Sequence, residues 1–163
     1  VTPHERSLKN IYSLETDFAK RVLDWYEECI ESGINILIYC GFRSNDEQNE
    51  LYKIGREKSG KIVTNARGGQ SFHNYGRAID FVPLKNEKPD WNDAKTYKKA
   101  HDIASKYNLR AVSWEAPHLE DGNYPSWRSL LSEFPTQVRE LTAQPISTPQ
   151  KKQARKAGGR GLR

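Results

Sequence analysis

Apolar residues recur at steps of three and four through Leu14, Phe18, Val22, Trp25, Tyr26, Cys29 and Ile30, a spacing that predicts an amphipathic helix stopped at Gly33. Ile34 to Tyr39 follows as an apolar run of strand length, interrupted only by Asn35. Ser44-Asn45-Asp46-Glu47 has the form of a capping box and starts a second helix that carries Gln48, Leu51, Tyr52 and Ile54 before Gly55. A polar loop to about Gly69 leads to a short strand, Arg77–Val82, which Pro83 is expected to end. Tyr97, Ala100, Ala104 and Tyr107 mark a third helix between Asn92 and Asn108, and Ala111–Trp114 reads as a strand. Trp127, Leu130, Leu131 and Phe134 predict a last helix that Pro135 terminates. Helices and short strands segregate rather than alternate regularly. The expected class is α+β, with helices packed around a small antiparallel sheet.

From about Thr142 the chain is Pro, Gln, Lys, Arg and Gly with little to bury, so the expected organisation is one domain over residues 1–141 and a disordered tail over 142–163. A length of 163 residues suits that single domain, and 4 Trp, 8 Tyr and 5 Phe give it a core. The net charge of +5 invites a nucleic-acid reading, but its distribution argues against one. Lys151, Lys152, Arg155, Lys156, Arg160 and Arg163 supply six positive charges beyond residue 140 with no acid among them, which leaves residues 1–140 at −1. A neutral body with no nucleic-acid motif does not grip phosphates. No apolar run approaches the roughly 20 residues of a membrane span. Cys29 and Cys40 are too few for a disulfide scaffold and fall in apolar runs, so both read as reduced core thiols.

The chemistry concentrates in Ser71-Phe72-His73-Asn74-Tyr75-Gly76-Arg77-Ala78-Ile79-Asp80. On a strand, Ile79 and Phe81 share the face that enters the core, which leaves Ala78 and Asp80 on the other. Small Ala78 would leave room there for something bound. A His and a carboxylate brought together across a Gly-containing turn are two of the three protein ligands of a catalytic zinc. His118 is the candidate third, because His4 is terminal and His101 lies within a helix. In Glu115-Ala116-Pro117-His118 the proline excludes a regular helix, but an extended or looped stretch could aim Glu115 and His118 at one site, one as ligand and the other polarising water. Each residue also has a plainer reading taken singly: His73 as a hydrogen-bonded turn residue, Asp80 as a cap or ion-pair partner, Glu115 as a solvated charge.

Val63-Thr64-Asn65-Ala66, Gly69 and the stretch from Ser71 to Phe81 resemble the signature of the bacteriophage L-alanyl-D-glutamate endopeptidases. These are endolysins within the zinc D-alanyl-D-alanine carboxypeptidase (VanY-like) superfamily, which also includes the hedgehog amino-terminal domain. The pattern is Ser-x-His-x-x-Gly-x-Ala-x-Asp followed by Glu-x-x-His, and every fixed position is met. Gly41-Phe42-Arg43-Ser44, Glu47-Gln48 and Leu51-Tyr52 resemble the family's Arg- and Gln-bearing helix start, and the resemblance covers roughly residues 5–135.

The resemblance implies one Zn2+ per chain held by His73, Asp80 and His118. It implies Glu115 as the general base that takes a proton from the attacking water and delivers it to the leaving amine. Arg43 would bind a substrate carboxylate or steady the oxyanion, although by itself it reads more simply as a surface ion pair, and Gln48 and Ser71 would hydrogen-bond the peptide. The implied substrate is the peptidoglycan stem peptide, cut between L-Ala and D-Glu. A D,D- or L,D-carboxypeptidase and a non-catalytic zinc-containing wall-binding module are the alternatives, and the presence of Glu115 argues for catalysis. Val1–Glu5 shows no basic region leading into an apolar core. The expectation is accumulation in the host cytoplasm as a monomer, release to the wall at lysis, and contact of the basic tail with anionic envelope polymers or lipid head groups.

Overall fold

A computed structural model describes residues 1–135. The chain runs α1 (Pro3–Tyr12), α2 (Thr16–Glu31), β1 (Ile36–Cys40), α3 (Asn45–Lys53), β2 (Ala78–Lys85), β3 (Lys88–Pro89), α4 (Ala94–Ala104), β4 (Leu109–Val112), β5 (Glu115–Asp121) and α5 (Trp127–Glu133). Four strands form an antiparallel sheet in the order β1-β2-β5-β4, and β3 pairs with β2 beside that path. This is the expected α+β arrangement. The basic segment 142–163 and the boundary placed at residue 141 lie outside the described residues.

Ile79, Phe81 and Leu119 point from the two central strands into a core shared with Ile11, Phe18, Val22 and Trp25 of the first two helices. Each such side chain contributes about 1.5–3 kcal/mol by leaving water. Trp25 also spends its one polar group inside, donating from Nε1 to the Ala100 carbonyl of α4 at 2.9 Å. Ala78, on the opposite face of β2, packs in a smaller cluster with Phe72, Tyr75 and Leu130. The sheet therefore separates a helix-covered face from a face that is free to carry chemistry.

Two elements depart from the pattern reading. Helix α1 was not predicted, because two of its three buried residues are polar. Ser7 Oγ accepts from the Ile38 amide at 3.0 Å, and Asn10 Nδ2 donates to the Ile38 carbonyl at 2.8 Å. Helix α1 thus satisfies the outer edge of β1, so polar residues occupy positions where periodicity looks for apolar ones. Its start was legible: Thr2 and Glu5 form a capping box with Pro3 in the first turn.

The second departure is Pro83, which does not end β2. The strand continues to Lys85 with Pro83 opposite Ile36. The Leu84 amide donates towards β1, to Asn35, so alternation turns the proline nitrogen to the other side. On that side β5 pairs with β2 only as far as Asp80 and β3 pairs only from Leu84, so the proline nitrogen falls between two ladders, while its carbonyl still accepts from the Asp90 amide at 2.9 Å. Smaller differences are at the ends. Ser44 caps α3 as expected, while the third helix stops at Ala104 and gives way to a 3-10 turn over Ser105–Tyr107.

Where β1 ends, Gly41 passes so close to α1 that a Cβ would collide with the Asn10 carbonyl oxygen and lie 2.6 Å from Ser13 Oγ. Gly41→Ala is expected to cost about 1–3 kcal/mol by overpacking, read as a lower urea midpoint with an unchanged slope.

Candidate metal centre and cleft

The register of the sheet assembles the site. Asp80 in β2 lies opposite His118 in β5 on one side and Cys40 in β1 on the other. The Cys40 pairing depends on an irregularity between Ile38 and Cys40 that shifts the end of β1, a device that re-aims side chains beside functional sites. His73 enters from a 3-10 turn over Phe72–Tyr75 whose cap, Ser71, accepts from the His73 amide at 3.2 Å. Gly76 closes that turn at φ 68°, where a side chain would be strained. The turn is tied to the loop after β1: the Arg43 amide donates to the His73 carbonyl at 3.1 Å, and Asn74 Nδ2 donates to the Arg43 carbonyl at 3.0 Å.

Two imidazoles converge on one carboxylate oxygen. His73 Nε2 and His118 Nδ1 each lie 3.4 Å from Asp80 Oδ1, and the rings are 5.3 Å apart. The outward nitrogens face acceptors: His73 Nδ1 is 2.8 Å from the Gly41 carbonyl, and His118 Nε2 is 2.8 Å from Glu120 Oε1. A neutral imidazole has one donor and one acceptor nitrogen. Both lone pairs therefore turn towards Asp80, an arrangement that repels unless a cation or protons sit among them. Asp80 Oδ2 is buried without a hydrogen-bond partner, with Arg43 Nη2 at 3.6 Å. The donor set fits a tetrahedral zinc with a position left open.

Cys40 Sγ is buried 3.4 Å from Arg43 Nη2 and 3.8 Å from His73 Nδ1, and ligand atoms of Cys40, His73 and Asp80 lie within 4.8 Å of one another. Its sequence reading as a core thiol captured the burial and missed this neighbourhood. Cys29 sits wholly in the core, where burial pushes its thiol up to about 12.

Arg43 and Gln48 are deeper than their expected roles imply. Arg43 Nη1 donates to Gln48 Oε1 at 3.1 Å, and Gln48 Nε2 donates to the Ala66 carbonyl at 2.9 Å. Both side chains are buried, and Arg43 Nε has no partner. An open cleft of about 690 Å³ lies over the centre, lined by Val63–Ala66, Ser71 and His73 from the loop and turn before β2 and by Trp114, Glu115, His118 and Trp127 from the chain after β4. Glu115, the first residue of β5, is half-buried; burial and then the Asp80 charge raise its carboxyl above the ordinary range.

Without a metal, protons hold this cluster. Burial pushes the imidazoles down, but the Asp80 carboxylate outweighs it, and His73 is raised to about 10 and His118 to about 9 from an ordinary 6.5. Folded values above the unfolded one mean stability fully present below pH 6.5 and lost as pH rises through 9 to 10. The metal-free chain is therefore expected to lose urea midpoint over that interval. Zinc displaces the protons and should bind more tightly over the same rise. Midpoints in EDTA from pH 6 to 10 check the first half, and a flat profile contradicts it.

An antiparallel sheet carrying a two-histidine, one-carboxylate centre beneath an open cleft is the layout of a metal-dependent hydrolase. The chain belongs to the D-alanyl-D-alanine carboxypeptidase (VanY) family, whose pattern matches residues 11–125. It is 62% identical over 55 residues to the peptidoglycan L-alanyl-D-glutamate endopeptidase CwlK of Bacillus subtilis (strain 168), covering 34% of this chain and 33% of CwlK. It is 28% identical over 128 residues to the L-alanyl-D-glutamate peptidase of Listeria phage A118, covering 72% of this chain and 41% of the phage protein. The chain thus spans a third to two-fifths of the length of these curated relatives. Its fold is similar to that of the vancomycin resistance D,D-dipeptidase VanXYg, solved with a D-Ala-D-Ala phosphinate analog, at a TM-score of 0.54 and 24% identity over 79% of this chain and 58% of that one. Among the described residues no helix is long and apolar enough to cross a membrane.

Proposed function

We propose that this chain is a zinc metallopeptidase that hydrolyses the L-alanyl-D-glutamate bond of peptidoglycan stem peptides. The observation that carries the reading is the convergence of His73 Nε2 and His118 Nδ1 on Asp80 under a cleft whose wall bears Glu115. His73, Asp80 and His118 hold the metal. When bound, zinc supplies a Lewis acid for the scissile carbonyl and makes water acidic enough to be deprotonated near neutral pH. The Glu115 carboxylate takes that proton and returns it to the leaving amine nitrogen. Arg43 keeps Asp80 in place through Nη2 and brings a permanent positive charge to the floor of the cleft, where it attracts a substrate oxygen. Gln48 acts on the substrate through the Thr64–Ala66 wall that it anchors, and Ser71 holds the turn that delivers His73.

The chain works as a monomer with one zinc ion. It accumulates in the host cytoplasm, reaches the wall at lysis, and its basic segment after residue 141 contacts the anionic envelope. The relatives' names support the bond; the family's description keeps a carboxypeptidase as the second reading.

Mass spectrometry of fragments released from purified peptidoglycan decides between them. New D-Glu amino termini, lost with EDTA and restored by zinc, are the expected result. Release of terminal D-Ala alone moves the assignment to a carboxypeptidase, and no cleavage by the zinc-loaded protein overturns the enzymatic reading in favour of a wall-binding module.

A further inference from the structure

The imidazole of His118 is gripped on its far side by a residue outside the shared motif. Glu120 lies two positions further along β5, so the pleat puts both side chains on one face of the sheet. Glu120 Oε1 is 2.8 Å from His118 Nε2. Its other oxygen, Oε2, accepts from Arg110 Nη2 at 2.6 Å and Nε at 3.1 Å. Arg110 is the residue opposite Glu120 in the β4–β5 register, and it also donates to the Tyr124 carbonyl at 2.6 Å. The carboxylate is thus fixed by a guanidinium that is itself fixed.

We propose that Glu120, braced by Arg110, is a positioning residue for the metal: it sets the tautomer and the ring orientation of His118. An ionised carboxylate only accepts, so the nitrogen facing it carries the hydrogen. That places the proton on Nε2 and leaves the Nδ1 lone pair turned towards Asp80 Oδ1 at 3.4 Å. Without Glu120 the ring has no acceptor at Nε2, and rotation about its broad terminal torsion is released. Arg110 has a second consequence. Its positive charge offsets that of Glu120, so the pair orients His118 without adding net negative charge beside a cation that must stay electrophilic. Removing such an outer partner of a metal-ligating histidine costs about 10–100-fold in metal affinity.

This inference rests on His118 being a ligand, and the experiment separates the two. Zinc affinity is measured by competition with a chromophoric chelator for wild type, Glu120→Ala and Glu120→Gln, beside urea midpoints of the metal-free proteins. A long-range 1H–15N correlation spectrum of zinc-loaded wild type reports which His118 nitrogen carries the proton. The expected results are a 10–100-fold weaker zinc complex for Glu120→Ala, a smaller loss for Glu120→Gln, which keeps an acceptor oxygen, and a hydrogen on Nε2. Zinc binding as tight in Glu120→Ala as in wild type overturns the role of Glu120 and leaves the metal site standing. So does a hydrogen on Nδ1, in a spectrum that needs no variant to fold. A wild-type chain that takes up no zinc overturns the metal assignment, and the role of Glu120 with it.

Discussion

Glu115→Gln is expected to cleave purified peptidoglycan about 10²–10⁴-fold more slowly than wild type, with zinc content unchanged. In free energy the loss is about 2.7–5.5 kcal/mol of transition-state stabilisation. Glutamine matches the volume and hydrogen-bonding reach of glutamate but cannot take a proton, so the change isolates the base. The geometry favours this assignment. Glu115 opens β5 three residues before His118 and lines the cleft beside both histidines. Its carboxyl, raised by burial and then by the Asp80 charge, is a stronger base than an exposed glutamate. Wild-type turnover in Glu115→Gln would place the base elsewhere. A variant that lost its zinc would make Glu115 a ligand.

Asp121→Ala is expected to destabilise the fold by about 3 kcal/mol, which for a chain of this length lowers Tm by roughly 6–12 °C. Asp121 closes β5 and is fully buried, with Arg21 Nη2 at 2.8 Å from Oδ1 and Arg77 Nη1 at 2.8 Å from Oδ2. Arg21 comes from α2, and Arg77 precedes β2 beside the turn that carries His73. One carboxylate therefore pins a helix, a turn and the strand that bears Glu115 and His118. Its removal strands two largely buried guanidinium groups. Arg21 keeps Asp17, and Arg77 keeps Glu15 at 3.4 Å with its guanidinium 4.8 Å from the Tyr124 ring centroid, so the cost falls at the low end of the range for a broken buried pair. Urea denaturation of the metal-free protein measures it, and a loss under 0.5 kcal/mol would mean that the remaining partners suffice.

Much of this was legible in the residues. The α2 stripe from Phe18 to Cys29, the Ser44 capping box and the alternation of Ile79 and Phe81 against Asp80 each report local geometry, because helix and strand periods are properties of the backbone. Helix α1 escaped because Ser7 and Asn10 face a strand edge that needs hydrogen bonds, not an apolar surface. Pro83 misled because its cost depends on whether a ladder needs a donor at that position, and it falls between the β5 and β3 pairings of β2, which no local pattern states. Glu120 could have been found by asking what shares a strand face with His118 two residues on. Cys40 could not, since its place beside His73 depends on an irregularity in β1.

By itself the sequence determined most of the elements, the chemistry at hand and the family: the spacing from Ser71 to Asp80, with Glu115 and His118 downstream, names the types of group and their order along the chain. Tertiary structure alone decided which atoms meet. Strand register set Asp80 between Cys40 and His118. Hydrogen bonds to the Gly41 carbonyl and the Glu120 carboxylate selected the nitrogens that face inward, and burial made Arg43 and Gln48 the frame of the site. The physical reason is range. Periodicity and capping are settled within one or two turns of chain, whereas a lone pair's direction and a carboxyl's basicity are set by neighbours dozens of residues away.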